Sequence, residues 1–132
     1  MNQYNLIVCG GTFDLLHKGH KKFLQDILGL SRKVLVGITS NSYVSNFKDK
    51  QIEDFEIRKK AVECFLESIG ERERVEIVSI NQAHEPLLTS AFNPQAIAVT
   101  PRTNPVAMEI NIKRKECGLP NLEIIVIEMK RA

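Results

Sequence analysis

Five short apolar runs punctuate the chain, and helical spacing fills most of what lies between them. They are LIVC (6–9), KVLVGITS (33–40), VEIVSI (75–80), AIAVT (96–100) and LEIIVIEM (122–129). Most are continuous apolar stretches rather than in-and-out alternations, as expected of strands buried on both faces. The segment 17–30 carries Phe23, Leu24, Ile27 and Leu28 at helical spacing, with Gly29 near its end. The segment 53–69 carries Phe55, Ala61, Val62, Phe65, Leu66 and Ile69, with Gly70 as its C-terminal cap. Shorter helices are predicted over 85–92, with Pro86 in the first turn, and over 105–117, ended by Gly118 and Pro120. The segment 40–52 reads as a polar loop holding Lys48 and Lys50. This order predicts an α/β fold: one doubly wound, five-stranded parallel sheet in a single domain. Such sheets bind ligands beyond the carboxyl ends of their strands, where the strand order reverses. Loops 10–18, 39–50 and 100–104 leave those ends with polar residues.

The chain has 132 residues, 43% of them hydrophobic and 26% charged, enough for one packed domain. Its net charge is +2 and its basic residues are dispersed, so nucleic acid is excluded as the main partner. The densest basic run, Lys113–Lys115, reads as a solvated helix face. No stretch approaches the ~18 apolar residues of a membrane span. No basic region precedes the first apolar run, so no signal peptide is expected, and the compartment implied is the cytoplasm. Cys9, Cys64 and Cys117 are far apart and lack CxxC spacing, implying neither a disulfide framework nor a zinc site. Cys9 and Cys64 read as small buried residues.

The chemistry is concentrated in GGTFDLLHKGH (10–20), at the first strand-to-helix junction. Gly10 and Gly11 allow close backbone approach and φ > 0 where the turn needs it. Thr12 adds a hydroxyl and an amide. His17 and His20 are three residues apart, on one helix face beside the positive end of the helix dipole. Two imidazoles there can donate hydrogen bonds to phosphate oxygens and stabilise charge that builds up in transfer. Gly19 removes a side chain where a nucleotide could lie against the helix. The string is neither a Walker A loop nor GxGxxG. His17, His20 and Asp14 could also be read as metal ligands, but an i,i+3 pair lacks a third confident ligand, and Asp14 reads equally as a turn residue.

The spacing of Thr12, His17, Gly19 and His20 resembles the (T/S)-x-x-x-x-H-x-G-H motif of the nucleotidyltransferase superfamily. Two further stretches, 36–66 and 96–129, resemble the archaeal and eukaryotic type of phosphopantetheine adenylyltransferase. In the second, a V-S/T-x-x-T turn leads to I-N-x-x-R and G-L-x-x-L-x-I, here Val99, Thr100, Thr103, Ile110, Asn111, Arg114, Gly118, Leu119, Leu122 and Ile124. The resemblance implies AMP transfer from ATP to 4′-phosphopantetheine, giving dephospho-coenzyme A and pyrophosphate, with Mg²⁺ accompanying the ATP. It implies His17 and His20 as catalytic residues on the ATP phosphates. Gly10, Gly11, Thr12, Phe13, Gly19, Thr100 and Arg102 would bind nucleotide or phosphate, and Thr12, Lys48, Lys50 and Arg58 the acceptor. From the residues alone, Lys48 and Lys50 read equally as solvated loop residues, and Arg58 as a surface ion pair with Asp54. A homo-oligomer is open.

The resemblance also implies a helix after the fifth strand opening with I-S-S/T-x-x-R, and this sequence has no such string. The reading is therefore one nucleotidyltransferase domain over 1–132 without that segment: a piece of a longer protein, a short variant, or a nucleotide-binding paralogue without turnover. A second enzyme reading is a cytidylyltransferase acting on a small phosphorylated alcohol such as glycerol 3-phosphate. Against it, no R-Y-V-D-like segment follows the second long helix and no R-T-x-G-I-S-T-T string occurs.

Overall fold

The computed structural model describes residues 3–45, 51–81 and 94–128. Five strands, β1 (Tyr4–Gly11), β2 (Ser31–Thr39), β3 (Val75–Ile80), β4 (Ala96–Val99) and β5 (Glu123–Val126), form one sheet in the order β3-β2-β1-β4-β5. Every pairing is parallel, from Tyr4↔Ser31 to Gly11↔Ile38 along β1–β2 and from Ile7↔Ala96 along β1–β4. Helices α1 (Lys18–Leu28), α2 (Asn41–Val44), α3 (Phe55–Ser68) and α4 (Asn104–Glu116) complete the described elements, with one 3-10 turn at Arg72–Arg74. The chain order runs outward from β1 to β3 and then returns to the other side of β1. The reversal therefore lies between β1 and β4.

The continuous apolar runs conceal an alternation of period two. Ile7 and Cys9, Val34, Val36 and Ile38, and Ala96 and Ala98 face one layer with Phe23, Leu24 and Ile27 of α1 and Val62 and Leu66 of α3. Val8, Leu35, Ile97 and Val99 face the other with Ala107 and Ile110 of α4 and Leu122. Both faces bury apolar surface, so neither set of strand positions can be polar. Gly70 and Gly118 take φ +74° and +76° just beyond α3 and α4, where a left-handed residue ends a helix.

Several sequence expectations change. The 40–52 loop contains α2, capped by Ser40, whose Oγ accepts from the Tyr43 amide. Cys64 is exposed; it sits on the solvent side of α3, two residues from each of the buried Val62 and Leu66. Arg114 is buried at 2% exposure rather than part of a solvated face. Its Nε donates to Pro120 O, and Asn111 holds Leu122 through both backbone groups, at 2.9 and 2.7 Å. These two side chains tie α4 to the approach to β5, satisfying backbone groups that no strand reaches. The predicted helix at 85–92 lies outside the described residues.

Candidate active site

The site is built where β1 ends. Between Gly11 and Lys18 the chain turns sharply, and two non-glycine residues, Phe13 and Leu15, hold left-handed conformations at φ +53° and +49°. Gly10 and Gly11 do not; they finish the strand with ordinary φ. At Gly11 the constraint is space: a Cβ there would come 3.1 Å from the Phe13 ring, which would have to give by a few tenths of an ångström. Left-handed conformations at such residues cost about 1–3 kcal/mol each and persist only when their surroundings hold them, as they do at functional sites. The surroundings here are explicit. The Phe13 side chain is buried at 3% exposure and its ring centroid lies 5.5 Å from that of His20. Asp14 Oδ1 accepts from the Glu53 amide at 2.8 Å, and Glu53 Oε1 accepts from the Leu15 amide at 3.0 Å. Asp14 is therefore a loop-binding residue that reaches across to the start of α3.

His17 and His20 cap α1 reciprocally. His17 Nδ1 accepts from the Gly19 amide at 3.0 Å, and His20 Nδ1 accepts from the His17 amide at 3.2 Å. A ring nitrogen that accepts cannot carry the proton, so each neutral imidazole is fixed as the Nε2–H tautomer. Neither Nε2 has a partner among the described residues. The rings stack with centroids 3.9 Å apart and planes 27° apart. Burial, reinforced by the neighbouring His17, lowers the His20 pKa to about 4, with Asp14 opposing the shift. His20 is thus a neutral donor at physiological pH. Gly19 is buried beneath the pair, and its amide serves the cap.

Arg58 is neither a surface ion pair nor open to solvent. It is fully buried. Its Nε donates to Glu53 O at 2.7 Å. One terminal nitrogen donates to Thr12 O (3.0 Å), Thr39 O (2.7 Å) and Thr39 Oγ1 (3.2 Å), and the other to Asn41 Oδ1 (3.3 Å). Burial lowers its pKa, and Asp14, Asp54 and Glu53 offset that, so the guanidinium stays charged. Asn41 Oδ1 also accepts from the Phe55 amide, and Asn41 Nδ2 donates to Asp54. Thr12 and Thr39 are joined hydroxyl to hydroxyl at 3.1 Å, with Thr39 donating. The sequence reading passed over Thr39; its place at the carboxyl end of β2, level with the β1 loop, was the available signal.

Thr100 and Arg102 lie on the same carboxyl edge, in the turn after β4, and β4 is the neighbour of β1. Thr100 closes that turn with Thr103, whose Oγ1 accepts from the Thr100 amide at 3.0 Å. Arg102 is exposed. Lys48 and Lys50 lie outside the described residues. The edge thus assembles a helix N-terminus, two Nε2–H donors and a pair of hydroxyls around the strand reversal, a set suited to phosphate oxygens.

Comparison with known proteins identifies the family. The family model described as cytidylyltransferase-like matches residues 8–128. The chain is 42% identical over 125 residues to the phosphopantetheine adenylyltransferase of Methanopyrus kandleri, covering 95% of this chain and 79% of that protein. The chain belongs to the phosphopantetheine adenylyltransferase family. A second member, from Pyrococcus abyssi, is 38% identical over 129 residues, covering 96% of this chain and 80% of its own length. Among solved structures, a protein of unknown function from Archaeoglobus fulgidus superposes with a TM-score of 0.80 at 28% identity, covering 98% of this chain and 90% of that one. In this chain Ile110 and Leu122 are buried, and Asn111 and Arg114 bond the backbone of Leu122 and Pro120, so these side chains hold α4 against the sheet.

Proposed function

We propose that the chain is a pantetheine-phosphate adenylyltransferase, carrying AMP from ATP to 4′-phosphopantetheine. A phosphate oxygen of the acceptor forms a bond to the α-phosphorus of ATP. The bond from that phosphorus to the bridging oxygen breaks, and pyrophosphate leaves with its electron pair. The attacking oxygen is already anionic, so no strong base is needed, and catalysis rests on positioning and charge stabilisation. The observation that carries this reading is the fixed tautomer of the histidine pair: two stacked imidazoles whose Nδ1 atoms are occupied by backbone amides. In this reading both Nε2–H groups donate to ATP phosphate oxygens, and the N-terminus of α1 adds its dipole. Thr12 donates its hydroxyl to the acceptor phosphate. Arg102, with the Thr100 turn, reaches the nucleotide phosphates, and Lys48 and Lys50 neutralise the acceptor phosphate.

Mg²⁺ accompanies the ATP and, when bound, offsets phosphate charge. Among the described residues no three His, Cys, Asp or Glu side chains group to hold a metal. No described helix is long and apolar enough to cross a membrane. The test is pyrophosphate release with ATP or CTP, each against 4′-phosphopantetheine and glycerol 3-phosphate. Turnover with ATP and 4′-phosphopantetheine alone is expected; turnover only with CTP would reject the reading.

A further inference from the structure

A chain of three donors ends at Thr12. Arg58 has hydrogen-bond donors and no acceptor. Its guanidinium meets Thr39 Oγ1 at 3.2 Å, so that oxygen receives and its own hydrogen must point elsewhere. It points to Thr12 Oγ1, 3.1 Å away. Thr12 Oγ1, having accepted, turns its hydrogen outward. The charge of Arg58 reinforces this order, because a hydroxyl hydrogen aimed back at a buried cation is repelled. Every other Arg58 bond goes to a backbone carbonyl or to Asn41, which anchors the guanidinium independently of either hydroxyl.

We propose that Arg58 and Thr39 are positioning residues that fix the direction of the Thr12 proton, so that Thr12 presents a donor to an anionic oxygen. A phosphate at working pH needs donors, and a threonine hydroxyl free to rotate presents its hydrogen only part of the time. The relay removes the wrong rotamer before substrate arrives, as preorganised donors do in charge-stabilising sites. This rests on the adenylyltransferase reading, which wild-type turnover tests separately.

Thr39→Val is the decisive change. It keeps the shape of a buried side chain and leaves the Thr39 carbonyl and the other Arg58 acceptors in place. We expect kcat/KM for the acceptor to fall about tenfold or more, the loss typical of a hydrogen bond to a charged group. Thr39→Ser, which restores the hydroxyl, should return within about threefold of wild type on the same grounds. Combined with Thr12→Val, Thr39→Val should add nothing, because the relay has no other terminus. Three results would overturn the relay while leaving the reaction intact: wild-type kinetics in Thr39→Val, multiplicative losses in the double variant, or Thr39→Ser as impaired as Thr39→Val. If Thr39→Val does not fold, Thr39→Ala, which also removes the hydroxyl, reads the same coupling when combined with Thr12→Val. Losses in Thr39→Ala and Thr12→Val that multiply in that double variant would reject the relay.

Discussion

In the proposed reaction His17 and His20 each have two tasks, one for each ring nitrogen, and substitutions can separate them. Nδ1 of each ring serves the helix cap, while Nε2 is left to serve a ligand. Asn is among the best N-cap residues, so His17→Asn keeps an acceptor for the Gly19 amide and loses Nε2. Gln at the third helical position completes a capping box, so His20→Gln keeps the reciprocal bond and loses its Nε2 as well. Alanine at either position removes both functions. Loss of an N-cap acceptor costs about 1 kcal/mol, which for a chain of this size lowers Tm by about 3–5 °C. Loss of one donor to developing charge costs about 10²-fold or more in kcat. We therefore expect His17→Asn and His20→Gln to melt near wild type and to lose about 10²-fold in kcat. His17→Ala should show the same kinetic loss together with the lower Tm. The measurements are thermal melts by circular dichroism and steady-state pyrophosphate release. If His17→Asn stays within about tenfold of wild type while His17→Ala is inactive, the ring acts through the helix cap, and the donor role fails.

Other outcomes follow from the same structure. The His20 pKa of about 4 lies below the unfolded value, so between pH 6.5 and 4 the unfolded chain binds the extra proton. Stability should therefore fall as pH drops through that window, and urea midpoints at pH 7.5 and 5 should show less of the fall in His20→Gln. A Cβ at Gly37 would lie 2.6 and 2.8 Å from Cδ1 and Cγ1 of Ile80, close to the branch point of that side chain. Gly37→Ala should cost about 1–3 kcal/mol in denaturant unfolding, as overpacking does, and a neutral result would mean that β2 and β3 pack less closely. Cys64 and Cys117 are exposed, whereas Cys9 is buried and its thiol is pushed up to about 12. A thiol reagent should label Cys64 and Cys117 under native conditions and Cys9 only on unfolding; early labelling of Cys9 would contradict its place in the core.

The strands were legible because burial on both faces leaves few choices of residue. β3 is predicted over 75–80 and found there, and β2 is shifted by only two residues at its start and one at its end. The histidine pair was legible because spacing along one helix is a local property. What the sequence conceals is the identity of distant acceptors. Arg58 and Arg114 read as surface charges, yet both are buried against backbone carbonyls that only the fold delivers. The left-handed positions fall on Phe13 and Leu15 rather than on the adjacent glycines. Long-range bonds from Asp14, Glu53 and Arg58 impose that strain, and no local preference announces it. Thr39 was missed for the same reason, since its importance lies in touching Thr12 across 27 residues of chain.

The central claim is transfer of AMP onto the phosphate of 4′-phosphopantetheine, and following a label tests it most directly. With ATP labelled at the α-phosphorus, 4′-phosphopantetheine and Mg²⁺, each pyrophosphate released should be matched by one dephospho-coenzyme A carrying the label, and His17→Asn should suppress both together. Bound ATP without labelled product, or label released only as free AMP, would contradict the account.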